Sequence, residues 1–156
     1  MILIAALTGR RVIGRRGAMP WHISEELKHF RKLTTGHTLI VGRKTFESLG
    51  SRTLPRRHTV VVSRTLPDRP DVDVCRTLDE ALRQAKTYHT EVFVAGGAEI
   101  YRQALPLADA LYLSWVKEDH EGDTHFPEID DKLWEVDREE DFPRFTFVVY
   151  RRRPTP

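Results

Sequence analysis

Runs of nearly uninterrupted Val, Ile and Leu recur along the chain with helical patterns between them, and this alternation restricts the fold to an α/β sheet. Strands are predicted in ILIAAL (2–7), HTLIVG (37–42), HTVVVS (58–63), VDVC (72–75), EVFVA (91–95) and DALYLSWV (109–116). Helices fill the gaps at 24–34, 43–49, 77–87 and 98–104. Apolar runs that do not alternate with polar residues need cover on both faces, which helices flanking a mostly parallel sheet supply. The tail differs: KLWEVDREED (132–141) and FTFVVYRR (145–152) flank Pro143 and read as a C-terminal antiparallel hairpin. No repeat, linker or low-complexity tract interrupts the pattern, so residues 1–156 are read as a single domain, large enough to bury roughly two-thirds of its unfolded surface.

Composition removes several function classes. The 25 Lys and Arg against 23 Asp and Glu leave a formal charge of +2, and a nucleic-acid footprint needs a concentrated basic face instead. The RRR near the C-terminus is read as a solvated strand end. Cys75 is the only cysteine, which excludes an internal disulfide and a Cys-based zinc site and suits a reducing compartment. The apolar start MILIAAL is too short to span a membrane and has no basic region ahead of it. The seven histidines show no metal spacing, so no metal is assigned, and no serine sits in a G-x-S-x-G elbow.

Ligands of open α/β sheets bind beyond the carboxyl ends of the strands, which directs attention to the strand exits. LIVGRKTFESLG passes from a strand through Gly42 into Arg43, Lys44 and Thr45 at a helix start, so N–H groups, a hydroxyl and two cations converge. A glycine turn carrying solvated basic residues is the alternative, because a first helical turn ordinarily favours acids. VFVAGGAEIY repeats the device with Gly96, Gly97 and Ala98, and Arg64 follows VVVS at a third exit. Neither glycine stretch is G-x-G-x-x-G or a Walker loop. Taken together, the three exits suit a dinucleotide carrying an extra phosphate, since Arg offers a rigid fork of donors to that group.

The helix at 24–34 holds the strongest anomaly. Ser24 is read as its N-cap, and Glu25 and Glu26 follow where the helix dipole favours acids. At about 100° per residue, Ile23, Leu27, Phe30, Leu33 and Thr34 share one apolar arc. Glu26 falls inside that arc, whereas Glu25 faces water with His29 and Lys32. Burying an unpaired carboxylate is costly and is tolerated chiefly where it meets a polar ligand or a proton. The helix at 77–87 is more ordinary: Thr77 and Glu80 form a capping box ahead of Ala81, Leu82 and Ala85.

These residues together resemble the dihydrofolate reductase family over nearly the whole chain. The likeness is carried by IAAL, VIGRRGAMPW, Glu26 with Phe30, GRKTFESLG, LPRR, VVVSR, VAGGAEIY and EGDTHFP, in the family's order and spacing. It implies an eight-stranded mixed sheet with four helices and a cytoplasmic, monomeric enzyme that binds antifolate inhibitors. The implied reaction moves hydride from NADPH to carbon 6 of 7,8-dihydrofolate and a proton to nitrogen 5. The product, tetrahydrofolate, supplies one-carbon and thymidylate metabolism. Residues from Gly14 to Trp21 would form a mobile lid with Met19 at its tip.

The resemblance also implies roles. Glu26 would accept hydrogen bonds from the pterin 2-amino group and nitrogen 3, a water near Trp21 would bring the proton, and the Ser114 hydroxyl would bond the carboxylate where the family usually has Thr. Ile4 and Ala95 would present carbonyls to the pterin ring. Ala5, Leu27, Phe30, Leu49 and Leu54 would line the substrate site, and Arg57 would clamp the α-carboxylate of the glutamate tail. On the cofactor side Ala6, Ile13, Gly14 and Met19 would meet the nicotinamide half. Gly42, Arg43, Lys44 and Thr45 would hold phosphates at one helix start, and Gly96, Gly97, Ala98, Glu99, Ile100 and Tyr101 at the other, with a cis Gly-Gly bond. Ser63 and Arg64 would take the 2′-phosphate. Glu99 departs from members with a basic residue there, leaving NADPH preference to Arg43 and Arg64. A riboflavin-pathway reductase of the same fold should lack Glu26 and Arg57, and a non-catalytic binding module would take both ligands without turnover.

Overall fold

Strand β1 (Ile2–Thr8) sets the architecture: Leu3, Ala5 and Leu7 join the apolar cluster on one side of the sheet, Ile2 and Ile4 join another cluster, and all five are buried. The computed structural model describes residues 1–154. The other strands are β2 (Val12–Gly14), β3 (Thr38–Gly42), β4 (His58–Val62), β5 (Asp73–Cys75), β6 (Val92–Val94), β7 (Ala110–Val116), β8 (Thr124–His125), β9 (Trp134–Asp141) and β10 (Phe145–Arg152). Eight of them form one sheet in the order β5-β4-β3-β6-β1-β7-β10-β9. Neighbours from β5 to β7 are parallel, and β10 runs antiparallel to both β7 and β9. The mixed, mostly parallel sheet with a terminal hairpin is therefore as the sequence predicts.

Helices α1 (Ser24–Thr34), α2 (Arg43–Ser48), α3 (Leu78–Lys86) and α4 (Ala98–Ala104) flank it, within a residue or so of the predicted spans. Leu78, Ala81 and Ala85 of α3 and Ile100, Tyr101 and Ala104 of α4 pack into the Leu3 cluster, whereas Phe30 and Leu33 of α1 pack against Ile2 and Ile4. A short 3-10 turn, Leu105–Leu107, follows α4. No helix among the described residues is long and apolar enough to cross a membrane.

Two capping expectations change. Helix α1 is capped by Ile23, not Ser24, and without a side-chain bond. Ile23 is 3% exposed among Trp21, Phe145 and Phe147, and burying such a side chain is worth about 1.5–3 kcal/mol against about 1 for a polar cap. In α3 the Thr77 hydroxyl accepts from the Glu80 N–H at 3.1 Å, but the Glu80 carboxylate takes the Arg76 N–H at 2.9 Å, one residue before the position the capping box prescribes.

The apolar arc of α1 is only partly covered. Ile23 and Thr34 are buried and Phe30 and Leu33 half-buried, while Leu27 is 39% exposed. The pair β2 and β8, too short to show any periodicity, is absent from the sequence reading. It joins Val12 to His125 and Gly14 to Thr124. At the far edge, β9 presents Asp137, Arg138, Glu139 and Glu140 to solvent, a charged border that discourages pairing with another sheet.

Candidate active site

The sheet opens where β1 and β6 part. Their register holds only at Ile2–Phe93 and Leu3–Val94, while β1 stays paired with β7 as far as Thr8–Val116. Beyond Leu3 and Val94 the carboxyl ends of two parallel strands therefore diverge and leave a crevice, the place where such sheets bind ligands. Across it the Tyr101 hydroxyl donates to the Ile4 carbonyl at 2.6 Å, leaving that oxygen one further lone pair.

Glu26 comes from α1 and is 7% exposed, and its carboxylate has no hydrogen-bond partner among the described residues. Burial alone pushes its carboxyl up to about 7. The same charge helps to raise the buried Tyr101 hydroxyl, after desolvation, which places the two groups within electrostatic reach. Ser114 is 4% exposed in β7, in register with Ala6, and the Ser114–Glu26 bond that the resemblance implies is not made. Trp21 is buried in the cluster holding Ile23 and Ala6, and its indole N–H has no partner among the described residues.

Ile4, Phe30, Leu54 and Ala95 all belong to one apolar cluster. Leu49 is half-buried at the C-cap of α2. Ala5 turns its side chain into the opposite cluster, so only its backbone can meet a ligand at the crevice. Arg57 is half-buried and already oriented, since its Nη1 donates to the Thr34 hydroxyl at 3.0 Å and its Nε to the Pro55 carbonyl at 3.1 Å. Burial, then the nearby Arg31 cation, lowers its affinity for its own proton. Among the described residues no carboxylate pairs with it within 4.0 Å.

The two glycine exits meet as neighbours. The Gly42 N–H donates to the Gly96 carbonyl at 2.8 Å, and the Gly96–Gly97 peptide is cis. A side chain on Gly97 would come within 3.3 Å of the Thr45 hydroxyl, and one on Gly42 within 3.2 Å of Ile100, so the backbone is bare where the starts of α2 and α4 converge. Arg43 lies here, paired with Glu47 at 2.8 Å, and Lys44 is exposed beside it. Glu99 is held by Arg102 and by Gln103 at 3.2 Å. Arg102 draws its carboxyl below the usual range, then Gln103, and the more distant Arg64 cation adds weakly to the effect.

Arg76 escaped the sequence reading. Its Nη1 donates to the Ser63 carbonyl at 2.9 Å and to the Leu66 carbonyl at 2.6 Å, bracing the turn that carries Arg64. It directly follows β5, so the rule that found Arg64, a cation after a strand, also selects it. The Ser63 hydroxyl accepts from Thr65 and Leu66 N–H groups at 3.2 and 2.9 Å and keeps its own proton to donate. The segment expected to form a lid lies where β2 pairs with β8: Ile13 is half-buried, Gly14 buried and Met19 48% exposed. The Asp123 N–H donates to the Gly14 carbonyl and the Arg16 N–H to the Asp123 carboxylate, both at 3.1 Å, so EGDTHFP holds the start of the 14–21 segment.

Residues 1–152 match the family model described as dihydrofolate reductase. The chain is 40% identical to dihydrofolate reductase HdrB of Haloferax volcanii over 97% of its length and 83% of that protein's. It is 41% identical to the dihydrofolate reductase of Haemophilus influenzae, covering 88% of this chain and 85% of the relative. Among solved structures it is similar to dihydrofolate reductase from Enterococcus faecalis complexed with NADP(H) and RAB-propyl. That similarity has a TM-score of 0.89 and 33% identity, over 98% of this chain and 96% of the other.

Proposed function

The chain belongs to the dihydrofolate reductase family and reduces 7,8-dihydrofolate to tetrahydrofolate with NADPH, and we propose that Glu26, Trp21 and Ser114 serve the proton side of that reaction. NADPH supplies the hydride. The bare backbone at Gly42, Gly96 and Gly97 fits its close approach, and Arg43, Lys44, Ser63 and Arg64 fit its phosphates. Arg76 fixes the turn on which Ser63 and Arg64 sit.

On the substrate side, Glu26 accepts hydrogen bonds from the pterin 2-amino group and nitrogen 3, which replaces the missing partners of a buried carboxylate and fixes the ring for attack at carbon 6. The proton for nitrogen 5 arrives on a water held by the Trp21 indole N–H, and the Ser114 hydroxyl completes the polar rim. Ile4, Leu27, Phe30, Leu49, Leu54 and Ala95 exclude bulk water, and Arg57, preset by Thr34 and Pro55, clamps the glutamate α-carboxylate. The observation that carries the reading is the buried Glu26 carboxyl, raised to about 7 by desolvation at the mouth of the β1–β6 crevice. Mixing the protein with dihydrofolate and NADPH tests it: near-ultraviolet absorbance of NADPH should fall only when both are present.

The same reading takes residues 1–156 as one domain working as a monomer in the cytoplasm. The continuous sheet and the charged edge of β9 support it, as does the free, buried Cys75, which suits a reducing compartment. Light scattering during gel filtration tests the monomer.

A further inference from the structure

Two buried polar atoms on neighbouring rings, Trp21 Nε1 and His120 Nε2, have no hydrogen-bond partner among the described residues. Their rings are 5.5 Å apart between centroids and inclined at 48°. His120 follows β7 and immediately precedes EGDTHFP, so neither the reaction nor the resemblance gives it a task.

Its surroundings form a closed circuit. His120 Nε2 lies 3.6 Å from Glu118 Oε2, just beyond hydrogen-bond reach. The other carboxylate oxygen of Glu118 accepts from Arg144 Nε at 2.8 Å, and this bond holds the Glu118 carboxyl below its usual range. Arg144, in the turn between β9 and β10, also donates through Nη1 to the His22 carbonyl at 3.3 Å. His22 follows Trp21, so the circuit runs from indole to imidazole to carboxylate to guanidinium and back to the backbone beside the indole. From β1's exit, Arg10 bonds Asp119 at 3.0 Å and the His120 carbonyl at 3.4 Å, fixing the same loop from the other side.

We propose that His120 is a positioning residue for hydride transfer, bracing the Trp21 indole and tightening that brace through Glu118 when the imidazole takes up a proton. The proposal rests on the role given to Trp21 above. An imidazolium here would stand beside an aromatic ring within cation–π range and face a carboxylate whose second oxygen is already fixed. The charged and titratable groups around it are Glu118, Asp119 and Glu121 on its own loop, Arg10 at β1's exit, Arg144 from the hairpin turn, and His22. Arg10 is paired with Asp119 and Arg144 with Glu118, so the new charge meets cations that are already matched. Trp21 closes the lid segment that begins at Gly14, and a loosened indole would misplace both the proton water and the lid's end, which reactions of this kind punish steeply.

His120→Phe keeps an aromatic ring, slightly larger, but removes the nitrogens. Single-turnover hydride transfer from about pH 5.5 to 9 should show a wild-type to H120F rate ratio of about three- to tenfold at the acid end, falling to about one at the alkaline end. KM for both ligands should stay unchanged. Because Glu26 titrates alike in both proteins, its contribution cancels in the ratio. Tryptophan emission should show a one-proton transition in the wild type that is missing in H120F and in a W21F control, since an imidazolium quenches a neighbouring indole. The wild-type to E118Q ratio, with both rings left in place, should vary with pH in the same way and decides the matter if H120F does not fold. A ratio that is constant with pH, or identical emission titrations, overturns the proposal. A wild-type protein that fails to turn over would defeat the functional reading instead, while the emission titration would still report on the brace.

Discussion

Replacing Glu26 by Gln separates the cost of its burial from its proposed use in catalysis. Burial raises this carboxyl from 4.5 to about 7. At about 1.36 kcal/mol per unit, that difference amounts to about 3 kcal/mol set against the folded state when the group is ionised. Because the folded pKa lies above the unfolded one, the penalty is absent below about pH 4.5, grows as pH rises and is complete above about pH 7. The Gln amide is itself polar and buried, which costs about 1–3 kcal/mol at every pH, so the diagnostic quantity is how the difference between the proteins changes with pH. A domain of this size shifts by roughly 2–4 °C per kcal/mol, and the melting temperature of E26Q should therefore gain about 6–12 °C on the wild type between pH 4.5 and 8. Over the same range hydride transfer in E26Q near neutrality should fall by roughly 10²–10⁴ and recover partly in acid, where bulk protons reach the free substrate. Thermal melts and single-turnover kinetics on the two proteins supply both readings. Parallel melting curves against pH would show that Glu26 is not desolvated as described, and near wild-type rates throughout would remove it from the mechanism.

Arg57→Leu should weaken dihydrofolate binding by about 2–4 kcal/mol and leave NADPH binding nearly unchanged, as read by tryptophan quenching; equal losses for both ligands would misplace the clamp. Arg64→Ser should narrow the kcat/KM preference for NADPH over NADH. Glu99→Arg should widen it, more at low salt than at high, because the Glu99 charge is felt at Arg64; an unchanged ratio in both variants would move the 2′-phosphate elsewhere. Gly122→Ala would place a methyl 2.4 Å from both the Gly14 carbonyl and Val12, an overlap with backbone that no rotamer relieves. The variant should lose about 1–3 kcal/mol of stability and much of its hydride-transfer rate, and a normal melt with normal turnover would contradict the packing of β2 on this loop.

How much of this was legible in the sequence differs from element to element. The parallel strands were, because Leu3, Ile40, Val60 and Val94 sit in runs whose continuity only a doubly covered sheet explains. Glu26 was, because helical geometry makes an acid on an apolar arc conspicuous. The cap of α1 was misassigned because local preference for Ser24 is weaker than the tertiary burial of Ile23, and single-residue rules do not see that burial. β2 and β8 were missed because two- and three-residue strands carry no period; only their partners reveal them. Arg76 was overlooked although a rule already in use would have found it. The brace from His120 to Arg144 joins residues 24 positions apart across three loops, and no spacing in the chain announces it.

The uncovered stretch of α1 makes occupancy and folding one equilibrium. Leu27, at 39% exposure, and half-buried Phe30 are apolar positions whose protein neighbours stop short of covering them. On the proposed reading a pteridine lying against them would supply the remaining contact, and the ligand would behave as a late-arriving piece of hydrophobic core. A ligand present at a hundred times its dissociation constant adds about 2.7 kcal/mol to the folded state, a large share of what holds a domain together. In a cell, where proteases remove whatever unfolds, an inhibitor that filled this face should also lengthen the life of the protein it blocks, so that exposure to the drug would raise the amount of its own target.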